Sequence, residues 1–113
     1  MRDKMLDLLA RHHAQFAQQA AEIDGAIQGF PDAPEDARRD LHRAAHSLKG
    51  SCGSMGFQAM SKAAERLELV LKGAVSSGAT AANLSQLAAL SQGLMDVATE
   101  TRLEDSTLYQ RFI

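Results

Sequence analysis

The residues best suited to chemistry in this chain surround His46. Successive residues of an α-helix are about 100° apart, so within a helix His46 lies about 200° from the apolar Leu48 and faces solvent. Lys49, Gly50 and Gly53 follow at i+3, i+4 and i+7, on the same face as the histidine. A neutral, exposed imidazole can attack phosphorus through a ring nitrogen. An ammonium one turn away would attract the phosphoryl group.

Gly50 and Gly53 need an explanation, because a glycine inside a helix costs about 1 kcal/mol relative to alanine. One explanation is clearance: without Cβ atoms on this face, a partner can come close to the imidazole. The other is structural, since Gly53 and Gly56 can mark the end of the helix, with Gly53 just past its C-cap. Both explanations remain open for Gly53, and the helix end is the favoured one for Gly56.

Four segments with helical periodicity would position this face. They cover about residues 2–27, 35–55, 58–75 and 81–101, with breaks at 29–34, 53–56 and 76–80. Asp32 and Glu35 predict a capping box at the start of the second segment. Apolar spacings of three and four predict an all-α fold, an up-down-up-down antiparallel four-helix bundle over residues 1–101. Residues 102–113 are predicted to form a C-terminal tail that folds back onto the bundle or docks elsewhere.

The motif His46-x-Leu48-Lys49-Gly50, followed by small residues, resembles the signature of histidine-containing phosphotransfer (HPt) domains, the relay modules of bacterial phosphorelays. The signature covers about residues 41–71, and the four-helix architecture of the family matches nearly the whole chain apart from the tail. The resemblance implies that His46 accepts a phosphoryl group from an aspartyl phosphate on a response-regulator receiver domain. It would then pass the group to the aspartate of another receiver, with Lys49 beside the phosphate.

The resemblance also implies roles for residues around the histidine. Gly50 and Gly53 would leave room for the docked receiver. The family usually places Gln or Glu on the next helix, hydrogen-bonded to the phospho-accepting ring, and this position falls on Glu68. Such a carboxylate would hold one ring nitrogen as N–H, or it would only pair with Lys49. Chemotaxis-kinase domains, a subgroup with Glu here, carry a second histidine three residues earlier, where this sequence has Glu65.

His42 and His46 are four residues apart, like the zinc-binding histidines of an H-E-x-x-H helix. Here the intervening residues include Arg43, contain no Glu, and no third ligand is evident, so no metal is expected. We expect His42 and Arg43 on the partner-docking face, although His42 can also be simply exposed. Arg39, Arg43 and Lys49 could extend a positive rim toward an acidic receiver pocket.

The remaining histidines and the single cysteine are interpreted as structural. His12 falls on the apolar stripe of the first segment and is expected in the core or at its rim, whereas His13 is expected to be exposed. Cys52 falls on the same stripe as Leu48, so we expect a small buried side chain and not a nucleophile. One cysteine cannot form an internal disulfide.

Composition excludes several classes of protein. The 113 residues include 12 basic and 14 acidic side chains, a formal charge of −2, and the basic residues are scattered rather than clustered. This argues against a nucleic-acid partner. The hydrophobic fraction is 45%, but no run approaches the ~20 apolar residues of a membrane span. Alanine and leucine dominate, which favours helices over sheets. We expect a monomer in the cytoplasm.

Together these features predict a phosphocarrier that relays phosphate through His46. No kinase activity of its own is expected, because 113 residues leave no room for a nucleotide-binding domain and no Walker-type glycine loop occurs. No cofactor is expected, since the resemblance places Mg²⁺ on the receiver. Partners would be receiver domains or a hybrid histidine kinase. The alternatives are a helical adaptor or inhibitor that docks a receiver or kinase without transfer, and a metalloprotein using His42 and His46.

Overall fold

Helices make up most of the computed structural model, which describes residues 2–77 and 81–112. They are α1 (Arg2–Gln28), α2 (Glu35–Ser54), α3 (Gln58–Ser77), α4 (Ala81–Glu100) and the short α5 (Thr107–Phe112), with 3₁₀ turns at Phe30–Asp32 and Leu103–Asp105. The described residues contain no strand, and the four long helices match the predicted segments. The predicted break at 76–80 lies partly outside the described residues. None of the described helices has the length and hydropathy needed to cross a bilayer.

The long helices form a closed ring of neighbours. α1 packs on α2, α2 on α3 and α3 on α4, and α4 packs back against α1. Because few residues join consecutive helices, neighbours run antiparallel. The predicted up-down-up-down four-helix bundle is therefore confirmed. The α2–α3 pair makes the most extensive contact, so the helix carrying His46 is held firmly against the helix carrying Glu68.

Each helix buries one stripe of side chains. The stripe of α2 is predicted from the spacing of its apolar residues to contain Leu41, Ala45, Leu48, Cys52 and Met55. The first four are buried, whereas Met55, just beyond the helix, is only partly buried. The stripe of α4 includes the fully buried Ser91, whose hydroxyl donates to Asp24 Oδ1 of α1 at 2.6 Å. A buried hydroxyl needs such a partner, so this bond ties α4 to α1 at a defined register.

His13 is half-buried, so the expectation of an exposed side chain is wrong. Its ring lies 5.3 Å from the ring of Phe57, and its Nε2 lies 2.9 Å from the carbonyl oxygen of Thr101. The last carbonyls of a helix lack intrahelical partners, and the imidazole N–H satisfies one of them just beyond α4. Phe57 in turn meets Phe16 edge to face, with ring centroids 6.0 Å apart.

α2 begins without the predicted capping box. Its N-cap residue is Pro34, in an extended conformation, and no side chain caps the helix. Asp32 belongs to the preceding 3₁₀ turn, and the extended Ala33 separates it from the helix start. The capping-box prediction is therefore wrong. Glu35 and Asp36 occupy the first turn of α2, where acidic side chains interact favourably with the helix dipole.

Gly56 ends α2, as favoured from the sequence. Its φ is +83°, in the left-handed region where glycine carries no steric cost. The Phe57 N–H donates to the Cys52 carbonyl at 2.8 Å, and the Gly56 N–H donates to the Gly53 carbonyl at 3.1 Å. These two bonds form a Schellman motif, which satisfies the final carbonyls of the helix. Gly53 thus lies inside α2 and is not the residue just past its C-cap.

The chain after α4 packs at the end of α2. The Thr107 N–H donates to the Gly56 carbonyl at 3.0 Å, and the Ser106 hydroxyl donates to the Met55 carbonyl at 2.6 Å. Three apolar side chains of this segment lie against the core, those of Leu103, Leu108 and Tyr109. Ile113 lies outside the described residues. The contacts made by Thr107 and Ser106 hold the C-terminal end of the helix that carries His46.

Candidate functional site

His46 projects from the outward face of α2. Its side chain is 67% exposed, whereas Leu48, two residues further along the same helix, is buried. This is the orientation that the helical spacing predicts. The buried stripe of α2 thus anchors the helix and leaves one edge of the imidazole accessible to a large partner.

Glu68 of α3 holds one nitrogen of this imidazole. The Nδ1–H of His46 donates to Glu68 Oε1 at 2.6 Å. The hydrogen must lie on Nδ1, because an ionised carboxylate can only accept. In the neutral ring the lone pair then lies on Nε2. Glu68 is next to the fully buried Leu67 on α3 and lies at the rim of the core. Its side chain is only 12% exposed.

Lys49 lies on the other side of the same carboxylate. Its Nζ is 3.8 Å from Glu68 Oε2, farther than a hydrogen bond, and the side chain is partly exposed. The sequence left open whether Glu68 orients the imidazole or only pairs with Lys49. In the structure the two contacts use different oxygens, and only the one to His46 is a hydrogen bond. The ammonium and the imidazole therefore contact the two different oxygens of one carboxylate.

His42 lies close to Glu68, whereas Arg43 is exposed at the outer rim of the site. His42 lies one turn before His46, and its Nε2 is 3.7 Å from Glu68 Oε1. Arg43 is well exposed and lies 3.4 Å from Asp40, so it belongs to the outer surface of α2. The i, i+4 spacing of His42 and His46 indicates that both side chains can reach one partner. The sequence analysis did not predict that Glu68 lies near His42 as well as His46.

The two glycines on this face have different surroundings. A Cβ added to Gly50 would meet no atom of the described residues within 4 Å, so packing inside the chain does not require glycine there. A Cβ on Gly53 would lie 3.3 Å from Ser61 Oγ of α3. The Ser61 hydroxyl donates to the Lys49 carbonyl at 2.9 Å, so the small residue at position 53 also serves the α2–α3 contact.

Two shallow depressions flank the imidazole. One lies between α1 and α2, is lined by His12, Phe16 and Met55 among others, and reaches Gly50. The second lies between α2 and α3 and is lined by His42, Arg43, His46, Glu68 and Lys72. His46 forms the ridge between them. A partner that covers the ridge therefore meets a groove of mixed polar and apolar residues on one side and a recess with several charged residues on the other.

Cys52 is not part of this site. Its side chain is fully buried, and burial raises the pKa of the thiol to about 12. The thiolate is therefore absent at neutral pH, as expected for a small core residue. Among the described residues, no three His, Cys, Asp or Glu side chains are grouped so that they could hold a metal ion.

Comparison with known proteins identifies the family. The family model of the Hpt domain matches residues 1–107 of the 113-residue chain. Comparisons with curated proteins and with solved structures give no match. Hpt domains interact with receiver domains and histidine kinases, and they serve histidine phosphotransfer in phosphorelays. This match spans all four long helices, including the outward histidine of α2. The chain belongs to the Hpt domain family.

Proposed function

We propose that this chain is a phosphocarrier that relays a phosphoryl group between receiver-domain aspartates through Nε2 of His46. The observation that carries the proposal is the 2.6 Å hydrogen bond from His46 Nδ1–H to Glu68 Oε1 on an exposed helix face. This bond fixes the tautomer in which the accessible Nε2 carries the lone pair. A nucleophile of this kind needs no further base, because its reactive atom is already deprotonated.

In the transfer step, the Nε2 lone pair attacks the phosphorus of the receiver's aspartyl phosphate. The N–P bond forms as the P–O bond to the aspartate breaks, and the aspartate leaves as a carboxylate. The imidazole becomes positively charged, with its proton still on Nδ1. The carboxylate of Glu68 stabilises that charge, since an opposite charge in hydrogen-bond contact favours the charged form. Transfer to a second receiver is the reverse of this step.

Lys49 is proposed to neutralise charge on the phosphoryl group. It follows His46 by three residues on the same helix, and its ammonium contacts Glu68 at 3.8 Å, too long for a hydrogen bond to hold it there. It can therefore turn toward phosphoryl oxygens without breaking a hydrogen bond of the site. We assign the divalent cation of the reaction to the receiver partner, so this chain contributes only its imidazole, ammonium and carboxylate.

The His46→Gln variant tests the proposal. Incubation of the wild-type chain with a phosphorylated receiver is expected to give an acid-labile, base-stable label on the chain and a matching loss from the receiver. The variant should take up no label, because glutamine offers no nucleophilic nitrogen. His12→Gln is the control for another histidine near the site. It should still carry the label once uptake is complete, although its groove faces the partner. A stable complex in which the receiver keeps its phosphate would instead identify a docking adaptor.

The Lys49→Ala variant tests the charge assignment. We expect normal stability, because the side chain is partly exposed and its contact with Glu68 exceeds hydrogen-bond length. The transfer rate should fall about tenfold, the effect of losing about 1.4 kcal/mol of stabilisation in the transition state. Lys62→Ala, an exposed lysine of α3, is the matched control and should transfer like the wild type. Equal transfer rates for Lys49→Ala and Lys62→Ala would show that Lys49 is only a solvated side chain without a role in transfer.

A further inference from the structure

Two imidazoles from successive turns of α2 face one oxygen of Glu68. His46 Nδ1 lies 2.6 Å from Oε1 and donates to it, whereas His42 Nε2 lies 3.7 Å from the same Oε1. The distance from His42 exceeds that of a hydrogen bond. Of the two imidazoles, only that of His46 is therefore hydrogen-bonded to Glu68. The Nε2 of His42 would have to move about one ångström closer to make a second hydrogen bond.

His42 Nε2 is also a buried atom without a hydrogen-bond partner among the described residues. Its side chain is only 27% exposed, and that of Glu68 only 12%. A buried imidazole nitrogen tolerates this while the imidazole is neutral. Once protonated it becomes a charged donor, for which a missing partner is far more costly. The nearest acceptor identified for it is Glu68 Oε1, and a small rotation of either side chain would close the gap.

We propose that His42 is a positioning residue that acts on His46 through Glu68 Oε1. When His42 is neutral, Glu68 Oε1 accepts a hydrogen bond from His46 Nδ1–H. This bond keeps His46 in the tautomer whose Nε2 carries the lone pair. When His42 is protonated, its Nε2–H is attracted to Glu68 Oε1 and competes with His46 Nδ1–H for that oxygen. The hydrogen bond that fixes the tautomer of His46 then weakens. This inference rests on the proposed function, and it adds a dependence of that function on pH.

Other charged groups also surround His42. The recess that His42 shares with His46 and Glu68 is also lined by Arg43 of α2 and Lys72 of α3. Lys49 lies at the opposite oxygen of the carboxylate. Lysine and arginine side chains ordinarily stay charged well above neutrality, whereas imidazoles gain a proton between about pH 5 and 8. His42 and His46 are therefore the two imidazoles of this recess. His12 of α1 lines the groove on the other side of His46, so it serves as the control histidine below.

The first test uses the free chain with ¹⁵N-labelled histidine, so that it does not depend on phosphate transfer. In the wild type, the ¹⁵N shift of His46 Nδ1 is expected to follow two titration steps, its own and that of His42. His42→Phe, which has a ring but no donor, should leave a single step, and so should His42→Gln. His12→Phe is the control and should keep both steps. A single step in the wild type would overturn the proposal.

The second test measures transfer from one phosphorylated receiver between pH 8.5 and pH 6. The ratio of the His42→Phe rate to the wild-type rate cancels the pH dependence of the receiver. We expect this ratio to rise about threefold or more as the pH falls, because only the wild type loses the use of Glu68. In a Glu68→Leu background, which has no acceptor for either imidazole, the same substitution should leave the ratio independent of pH. A flat ratio with Glu68 present would refute the inference, whereas absence of any label on His46 would refute the proposed function.

Discussion

Replacing Gly50 with glutamine is expected to slow phosphoryl transfer at least tenfold while leaving the chain as stable as the wild type, or more stable. The added side chain meets no described atom within 4 Å at its first carbon, so it strains nothing inside the chain. Glutamine also favours a helix over glycine by up to about 1 kcal/mol. The side chain would stand one turn from His46, where a receiver has to reach the imidazole.

The two effects are measured separately, by transfer rates at increasing receiver concentration and by urea unfolding. Gly25→Gln in α1 is the matched control, since a Cβ there also meets nothing within 4 Å, and Gly25 lies about 20 Å along the helix from His12. It should gain stability in the same way and transfer normally. If Gly50→Gln transfers as fast as Gly25→Gln, the clearance explanation for Gly50 is wrong.

Gly56→Ala is expected to lower the free energy of unfolding by about 2–5 kcal/mol. A non-glycine residue in the left-handed region costs roughly 1–2 kcal/mol, and overpacking adds about 1–3 kcal/mol. Gly56 meets both conditions, because its φ is +83° and a Cβ would lie 2.5 Å from Thr107 Oγ1 and 2.8 Å from the Thr107 nitrogen. The clash involves backbone, so the segment after α4 has to move away from α2.

Equilibrium unfolding in urea checks this value, with Gly93→Ala as the control. Gly93 lies inside α4 and a Cβ there meets nothing within 4 Å, so alanine should stabilise the chain by up to about 1 kcal/mol. A decrease in the free energy of unfolding below about 0.5 kcal/mol for Gly56→Ala would contradict this prediction. The contact between Gly56 and Thr107 would then adjust to a Cβ at little cost.

Features that follow from local spacing could be predicted from the sequence. The buried stripe of α2 and the outward direction of His46 both depend only on the rotation per residue of a helix. The end of α2 at Gly56 could be predicted because glycine alone adopts a positive φ without cost. Glu68 was found as a partner of His46 through the family resemblance, which supplies a relation between two helices that periodicity within one helix cannot give.

The two incorrect predictions have different physical causes. His13 is covered because its imidazole reaches the carbonyl of Thr101, 88 residues away, and no pattern around His13 indicates that approach. The expected capping box between Asp32 and Glu35 fails for a local reason. The extended Ala33 and Pro34 follow Asp32, so the helix begins too late for Asp32 to be its N-cap. For Gly53 the sequence left two explanations open, clearance for a partner and the end of the helix. Its role in packing becomes visible only from the position of Ser61 on α3.

The position of the phosphorus atom tests the central proposal most directly. The chain, labelled with ¹⁵N in its histidines, is phosphorylated by a receiver, and the ³¹P–¹⁵N coupling then shows which nitrogen carries phosphorus. Because Glu68 Oε1 occupies Nδ1 of His46 at 2.6 Å, we predict phosphorus on His46 Nε2. Phosphorus on Nδ1, on another histidine, or nowhere on the chain would contradict the account.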